Sequence, residues 1–311
     1  MRQISLEEYQ KRYRDQGKPG LGALRLYETA DTDLRLGRRD PISHKYSYGR
    51  ALILAGSRGY SGAPVLAANA CERAGAGLTQ LCVPENIYPI AAARCDGAVV
   101  TPLPADREGG FAASAPEEIL PLLEKAKACV LGPGLGLGVG AQELVRGVLR
   151  AARCPLVLDA DGLTACAGEP GLLDEGPSPL LLTPHEGEFR RLGGDLTQGR
   201  LAGALRFCAE HPRVILVLKG YGTLIVRGGE AVVNPTGGPA MAKGGTGDVL
   251  CGILAALLAQ GFEPWFSACC AVYLHGLAGD LAAGALGEYC LAPSDLIAFL
   301  PQAFEQILKR S

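Results

Sequence analysis

The sequence predicts an α/β protein with a central, mostly parallel sheet covered by helices on both faces and an antiparallel hairpin at one edge. Three observations predict it. Short, continuously apolar runs recur along the chain and end in glycine or an aspartate-like turn. Helix-length segments separate them. Two later runs stand close together across a Gly-Gly pair. Continuous apolar strands are buried on both faces, as in parallel sheets, and their alternation with helices implies right-handed crossovers.

The runs, in order, are "ALILAG" (51–56), "TQLCV" (79–83), "ACVLG" (128–132), "PLVLD" (155–159), "LLLTP" (180–184) and "VILVLKG" (214–220). Segments such as "APVLAANACERAGAG" and "AQELVRGVLRAAR" supply the helices between them. "TLIVRGG" (223–229) and "EAVVN" (230–234) meet at Gly228-Gly229 and form the hairpin. From residue 248 onward the pattern is helical to the end. Residues 1–40 are polar and irregular and are expected to form an N-terminal extension or arm. Residues 41–311 are expected to form one domain, since no linker or repeat divides them.

Composition narrows the function. The net charge of −2 gives no electrostatic case for nucleic acid or anionic lipid as partner, so an anion must be held by local features. Eleven cysteines show no C-x-x-C spacing and read as reduced, buried thiols of a cytoplasmic protein. The four histidines are far apart, and no metal-ligand set is read from the sequence. The N-terminus lacks an apolar core segment and is not a signal peptide. "FSACCAVYLHGLAGDLAAGA" is broken by His275 and Asp280 and reads as a buried helix rather than a membrane span.

Ligands of open α/β sheets bind beyond the carboxyl ends of the strands. The unusual residues collect there: Gly56 to Gly62, Gly132 to Gly136, Asp159, Asp161, His185 and Lys219. "GGTGDVL" carries the most chemistry. Glycines let backbone approach an anion closely, so the amides of Gly245, Thr246 and Gly247 are expected to form an anion hole at a helix N-terminus. Asp248 would be repelled by a phosphate there. It is either a helix cap or a base that takes a proton from a hydroxyl beside a transferring phosphoryl group. Lys219, before Gly220 and Gly222, can serve nucleotide phosphate as a point charge or can end in a turn. "GSRGYSGAP" lacks the G-x-G-x-x-G spacing of a dinucleotide fold but can line a cleft with backbone. His185 is either a structural histidine or a ligand. Asp159 and Asp161 could hold water on Mg²⁺, although Asp161 reads better as a cap.

"AGSRGYSGAP", "GPGLG", "LDADGL", "TPHEGEF", "KGYGTLI" and "MAKGGTGDVLCGILAALLAQG" occur in the order seen in the ADP/ATP-dependent NAD(P)H-hydrate dehydratases, and the chain resembles them from about Ser43 onward. The resemblance implies a ribokinase-like, three-layer α/β/α fold. It implies dehydration of the S epimer of NAD(P)H hydrate by phosphorylation of the ring hydroxyl and loss of phosphate, with ADP or ATP as donor and Mg²⁺ bridging the nucleotide phosphates. Carried over by motif, Ala63, Gly136, His185 and Asp248 are substrate-binding positions. Lys219, Gly220, Tyr221, Gly222, Thr223 and Gly247 are nucleotide-binding positions, and Asp248 is the catalytic base. The chain departs from the family pattern at Tyr46, Tyr221 and Gly238.

About forty residues precede the motif region, too few for the epimerase domain of many relatives. A stand-alone dehydratase with a separate epimerase as functional partner is therefore expected. Apolar helices at 64–74 and 266–284, with the arm, leave surface for a homo-oligomer, a tetramer being the expected form. Two other functions share these motifs in part: a kinase of a small alcohol or vitamin precursor, which would stop after phosphoryl transfer, and a nucleotide sensor without turnover.

Overall fold

Among the described residues, eleven strands join in one sheet: β1 Arg2–Gln3, β2 Arg25–Glu28, β3 Arg50–Leu54, β4 Leu78–Pro84, β5 Val99–Leu103, β6 Ala128–Leu131, β7 Leu156–Leu158, β8 Leu180–Leu182, β9 Val214–Leu218, β10 Leu224–Arg227 and β11 Glu230–Val233. They come from a computed structural model that describes residues 1–17, 24–30, 33–169, 171–177 and 179–308. The spatial order is β1-β2-β11-β10-β9-β8-β7-β6-β3-β4-β5. All pairs from β9 to β5 are parallel, while β9-β10, β10-β11 and β1-β2 are antiparallel. The parallel sheet and its edge hairpin thus match the pattern of apolar runs.

The central strands β6, β7, β8 and β9 are apolar throughout because successive side chains enter different cores. Ala51, Ile53, Val130, Val157, Leu181 and Val217 face one core, closed by the helices Gly62–Arg73, Thr246–Ala259, Pro264–Leu286 and Pro293–Ile307. Leu52, Leu54, Leu131, Leu158, Leu182 and Leu218 face the other, under the helices Ala115–Leu123, Val139–Ala151 and Arg200–Glu210. The result is a three-layer α/β/α sandwich.

The described residues within 1–40 include regular elements where composition suggests a polar, irregular segment. Within them β1, the helix Leu6–Tyr13 and β2 are regular, and β2 extends the sheet by pairing in parallel with β11. Tyr9 is fully buried, and its hydroxyl donates to Asp15 Oδ2 at 3.0 Å. The same oxygen accepts the amide of Leu201 at 2.9 Å, so one buried carboxylate fastens the segment to the helix Arg200–Glu210. Periodicity misses these elements because their few apolar positions (Ile4, Tyr9, Tyr13, Leu26) sit among charges that remain in solvent. It also misses β5, an edge strand that contains Pro102 and is only partly buried.

Among the described residues one helix, Pro264–Leu286, is long and apolar enough to cross a membrane by length and composition, but half of its most apolar window is buried within the fold. The helix Thr246–Ala259 is buried from Val249 to Ala259 and lies tightly against Gly62–Arg73. Gly252 makes that closeness possible, because a Cβ there would stand 2.2 Å from the carbonyl oxygen of Ala67. Gly252→Ala is therefore expected to lower stability by about 1–3 kcal/mol despite alanine's better helix propensity, as measured by urea unfolding. Unchanged or raised stability would show that the two helices can move apart freely.

Candidate active site

The carboxyl ends of β7, β8 and β9 bring three polar side chains together. Asp159 follows β7, Thr183 follows β8 and Lys219 follows β9, and backbone bonds from Thr183 N to Leu158 O (3.1 Å) and from Lys219 N to Pro184 O (2.8 Å) keep the three loops in register. Lys219 Nζ lies 2.7 Å from Asp159 Oδ1, and the Thr183 hydroxyl donates to that same oxygen at 2.7 Å. Lys219 also lies 3.8 Å from Glu188 Oε2. Burial opposes ionisation of Asp159. The ammonium of Lys219, with hydrogen bonds from Lys219, Thr183 and the buried thiol of Cys251, outweighs burial and holds the carboxyl below its usual range. Burial likewise disfavours the Lys219 charge, but Asp159 and then Glu188 keep its pKa above the ordinary lysine value.

The glycine loop stands against this pair. Gly245, with φ of 97°, is the N-cap of the helix Thr246–Ala259. Only a residue without a side chain fits, because a Cβ would meet Leu66 and Pro293 at about 3 Å and the backbone is left-handed. A Cβ at Gly247 would lie 3.4 Å from Lys219 Nζ and 3.8 Å from Asp159 Oδ2, so the bare Gly247 leaves the pair uncovered. The loop is anchored at both ends. Lys243 Nζ donates to the carbonyls of Tyr289 (2.8 Å) and Leu291 (2.6 Å). Thr246 donates its hydroxyl to Lys243 O, and its own carbonyl accepts from His275 Nε2 at 2.8 Å. Burial pushes the His275 imidazole down to about 4, so it is neutral near pH 7 with its proton on Nε2.

Asp248 is partly buried in the first turn of this helix, where amides have no intrahelical acceptor and the macrodipole favours negative charge. Burial nevertheless pushes its carboxyl up to about 7. The charges of Asp159 and Asp161 add to the rise, and Lys219 opposes it. A carboxyl that titrates near neutrality can accept a proton from an alcohol and give it up again.

The remaining expected positions lie on neighbouring loops. Ala63 begins the helix Gly62–Arg73, and its methyl group stands 3.2 Å from where a Cβ of Gly134 would be. The Gly56 amide bonds Pro133 O at 2.9 Å and the Ser57 hydroxyl bonds Gly134 O at 2.8 Å, which joins the loops that carry Ala63 and Gly136. His185 caps the helix Glu186–Arg191: its Nδ1 accepts the amides of Gly187 (2.9 Å) and Glu188 (3.2 Å), and Glu188 Oε2 accepts the His185 amide at 2.7 Å. Its side chain is still 56% exposed, so the cap also presents a ring to solvent.

Lys219 to Thr223 form the turn before β10. Arg200 clamps it through the carbonyls of Leu218, Lys219 and Tyr221 (2.7–3.4 Å). Tyr221 is 68% exposed, and its ring lies 5.7 Å from that of Tyr13 on the N-terminal helix. Asp161 is not the helix cap that its sequence position suggests. Asp159 occupies the N-cap position, and Asp161 Oδ2 instead accepts the Gly136 amide at 2.9 Å, because the 132–136 loop folds over that helix start. Sequence reading also missed Thr183, Cys251 and His275. Only their tertiary neighbours mark them, apart from the position of Thr183 directly after a strand. A cavity of about 1220 Å³, lined by Arg39, Tyr48, Gly75 and Gln260 among others, lies at the opposite, amino-terminal edge of β3 and is separate from these loops.

A family model described as NAD(P)H-hydrate dehydratase matches residues 51–302. The bifunctional NAD(P)H-hydrate repair enzyme Nnr of Moorella thermoacetica is 38% identical over 288 residues, covering 91% of this chain and 54% of that protein. The chain spans about half the length of the bifunctional relatives it matches. The ADP-dependent (S)-NAD(P)H-hydrate dehydratase of Bacillus subtilis is 35% identical over 279 residues, with 87% of this chain and 94% of that protein covered. A structure of the ADP/ATP-dependent dehydratase from B. subtilis, co-crystallised with ATP/Mg²⁺, superposes with a TM-score of 0.79 at 31% identity, covering 92% of this chain and all (100%) of that one. Arabidopsis thaliana ribokinase, at 17% identity and a TM-score of 0.51 over 80% of this chain and 98% of that one, shares the fold alone.

The raised proton affinity of Asp248 has a consequence for stability. Below about pH 4 the carboxyl is neutral in folded and unfolded chains alike. Between about pH 4 and 7 the unfolded chain ionises first, so the wild-type protein loses stability as pH rises through that window. Asp248→Asn, which has no such titration, is expected to gain thermal stability relative to wild type at pH 8 and to lose that advantage near pH 4. A pH-independent difference in Tm would place Asp248 in an ordinary, solvated setting.

Proposed function

We propose, from the premise that the chain belongs to the NAD(P)H-hydrate dehydratase family, that it restores NAD(P)H from the S epimer of its hydrate at the expense of ADP or ATP. The observation that carries this reading is Asp248: a partly buried carboxyl, titrating near 7, in the first turn of an apolar helix behind Gly245 and Gly247.

Hydroxide is a poor leaving group. In the proposed reaction Asp248 takes the proton of the C6 hydroxyl, and that oxygen attacks the terminal phosphorus of the nucleotide. The bond from phosphorus to the bridging oxygen breaks, releasing AMP from ADP or ADP from ATP. Loss of inorganic phosphate from C6, with a proton from C5, then restores the ring double bond. The amides of Gly245, Thr246 and Gly247 stabilise charge on the transferring group. Ala63, Gly136 and His185 line the hydrate side. Lys219, Gly220, Tyr221, Gly222 and Thr223 take the nucleotide, with Arg200 holding the shape of that turn.

Among the described residues no group of three or more carboxylate, imidazole or thiol side chains could by itself hold a metal ion. Asp159 and Asp161 are already engaged, by Lys219 and by the Gly136 amide. Mg²⁺ is therefore proposed to arrive on the nucleotide phosphates, where it would neutralise charge, with few protein ligands of its own. The reading also implies an epimerase activity that returns the R hydrate to the S form, a cytoplasmic setting in keeping with the free thiols, and a homo-oligomer using exposed apolar residues such as Val99, Leu137 and Val139.

The test is direct. With hydrated NADH, ADP or ATP and Mg²⁺, the protein is expected to regenerate absorbance of the reduced nicotinamide in step with phosphate release. Asp248→Asn is expected to lower kcat by about 10²-fold or more with nucleotide affinity nearly unchanged. Regeneration without nucleotide, or full activity in the Asn variant, would overturn the mechanism.

A further inference from the structure

Lys219 stands in the motif as a nucleotide ligand, yet its ammonium is engaged within the protein. It sits 2.7 Å from Asp159 Oδ1 and 3.8 Å from Glu188 Oε2, and Glu188 is itself bound to the His185 amide. The Asp159 carboxylate is buried, takes the Thr183 hydroxyl on the same oxygen, and shows its second oxygen toward Gly247. The ion pair thus joins the ends of β7 and β9 directly beneath the backbone that leads into Asp248. We propose that Asp159 and Lys219 are positioning residues that act as one unit to set the ionisation of Asp248, the lysine serving first as the counter-ion of Asp159. This inference rests on the phosphoryl-transfer reading of Asp248 and adds to it the groups that tune the base.

The charges acting on Asp248 are those of Asp159 at the end of β7, Asp161 in the helix after it and Lys219 at the end of β9, with Glu188 behind it; the neutral Cys251 thiol lies one turn along its own helix, and the neutral His275 of the helix Pro264–Leu286 bonds the Thr246 carbonyl in the same first turn. Of these, Asp159 disfavours a second negative charge and Lys219 favours it, in accord with their opposite effects on Asp248. Their signs give a test that simple loss of structure would not reproduce. Asp159→Asn removes the repelling charge and leaves Lys219 charged with only the more distant Glu188 as counter-ion, and both changes favour the ionised base. Adding Lys219→Met removes that excess cation and leaves a neutral pair of similar size, an exchange that buried ion pairs often tolerate. The double variant should therefore revert toward wild type even though it carries more substitutions.

The titration of Asp248 can be followed on the free protein, without substrate or nucleotide, as its carboxyl band in infrared difference spectra against Asp248→Asn. The expected wild-type value is about 7. Asp159→Asn is expected to lower it by roughly one unit, and the double variant to recover at least about half of that fall. The acidic limb of kcat against pH should move in the same order. A value in Asp159→Asn within about 0.2 units of wild type, or a double variant no closer to wild type than the single, would overturn the proposal.

Wild-type protein offers a check that needs no buried substitution. With ¹⁵N-labelled lysine, the Lys219 Nζ signal should remain that of an ammonium yet show a step near pH 7 that Asp248→Asn abolishes. Absence of the step would overturn the coupling. If these titrations move as expected while no NADH is regenerated, the enzymatic reading fails and the coupling stands. If NADH is regenerated while they stay fixed, the coupling alone fails.

Discussion

Two opposite charges meet at the carboxyl ends of β7 and β9, with β8 between them, and the rest of the site is arranged about that contact. Asp159 and Lys219 are sixty residues apart in the chain, and their Oδ1 and Nζ atoms are 2.7 Å apart in the fold. The Asp159 charge could not stay buried alone: an unpaired carboxylate there would take up a proton, and the half-buried Lys219 supplies its counter-charge. Together they allow an ionised pair to lie beneath a glycine loop with the carboxylate buried. They also explain how Asp248 can stand at the positive end of a helix and still hold its proton to near neutrality. Burial raises its proton affinity, and the negative member of the pair adds to that effect.

Position follows from packing. The helix that begins at Thr246 is apolar for its whole buried length, and Gly252 lets it press against the backbone at Ala67. One end of that helix-helix contact carries the glycine loop and Asp248, and the first turn of the partner helix carries Ala63. A hydrophobic interface of this kind is stiff because its side chains are close-packed, so it holds two loops in fixed relation without covalent help. Lys243 and His275 complete the restraint by tying down the carbonyls and backbone on either side of the loop.

The N-terminal residues extend the sheet and reach the same region. β2 lies beside β11, Asp15 fastens the segment to the Leu201 amide, and Tyr13 lies against both Tyr221 and Gly222 in the lysine turn. Composition reads this segment as polar because most of its charges face water. A handful of aromatic and carboxylate contacts, each to a residue far along the chain, decide its place.

Local pattern alone determined a good deal of this protein. Apolar runs such as "VILVLKG" have the length and β-branched content of strands buried on both faces, Gly228-Gly229 marks a hairpin turn, and the ordered motifs from "AGSRGYSGAP" to "GGTGDVL" carry the family. These features are legible because each is written in consecutive residues and obeys the period of its own backbone. The partners of Lys219, the engagement of Asp161 by Gly136, the neutrality of His275 and the proton affinity of Asp248 were decided only by the tertiary structure. Each depends on burial and on charges brought within a few ångströms by different strands, and electrostatic energy depends on distance in space, which the order of residues along a chain does not record.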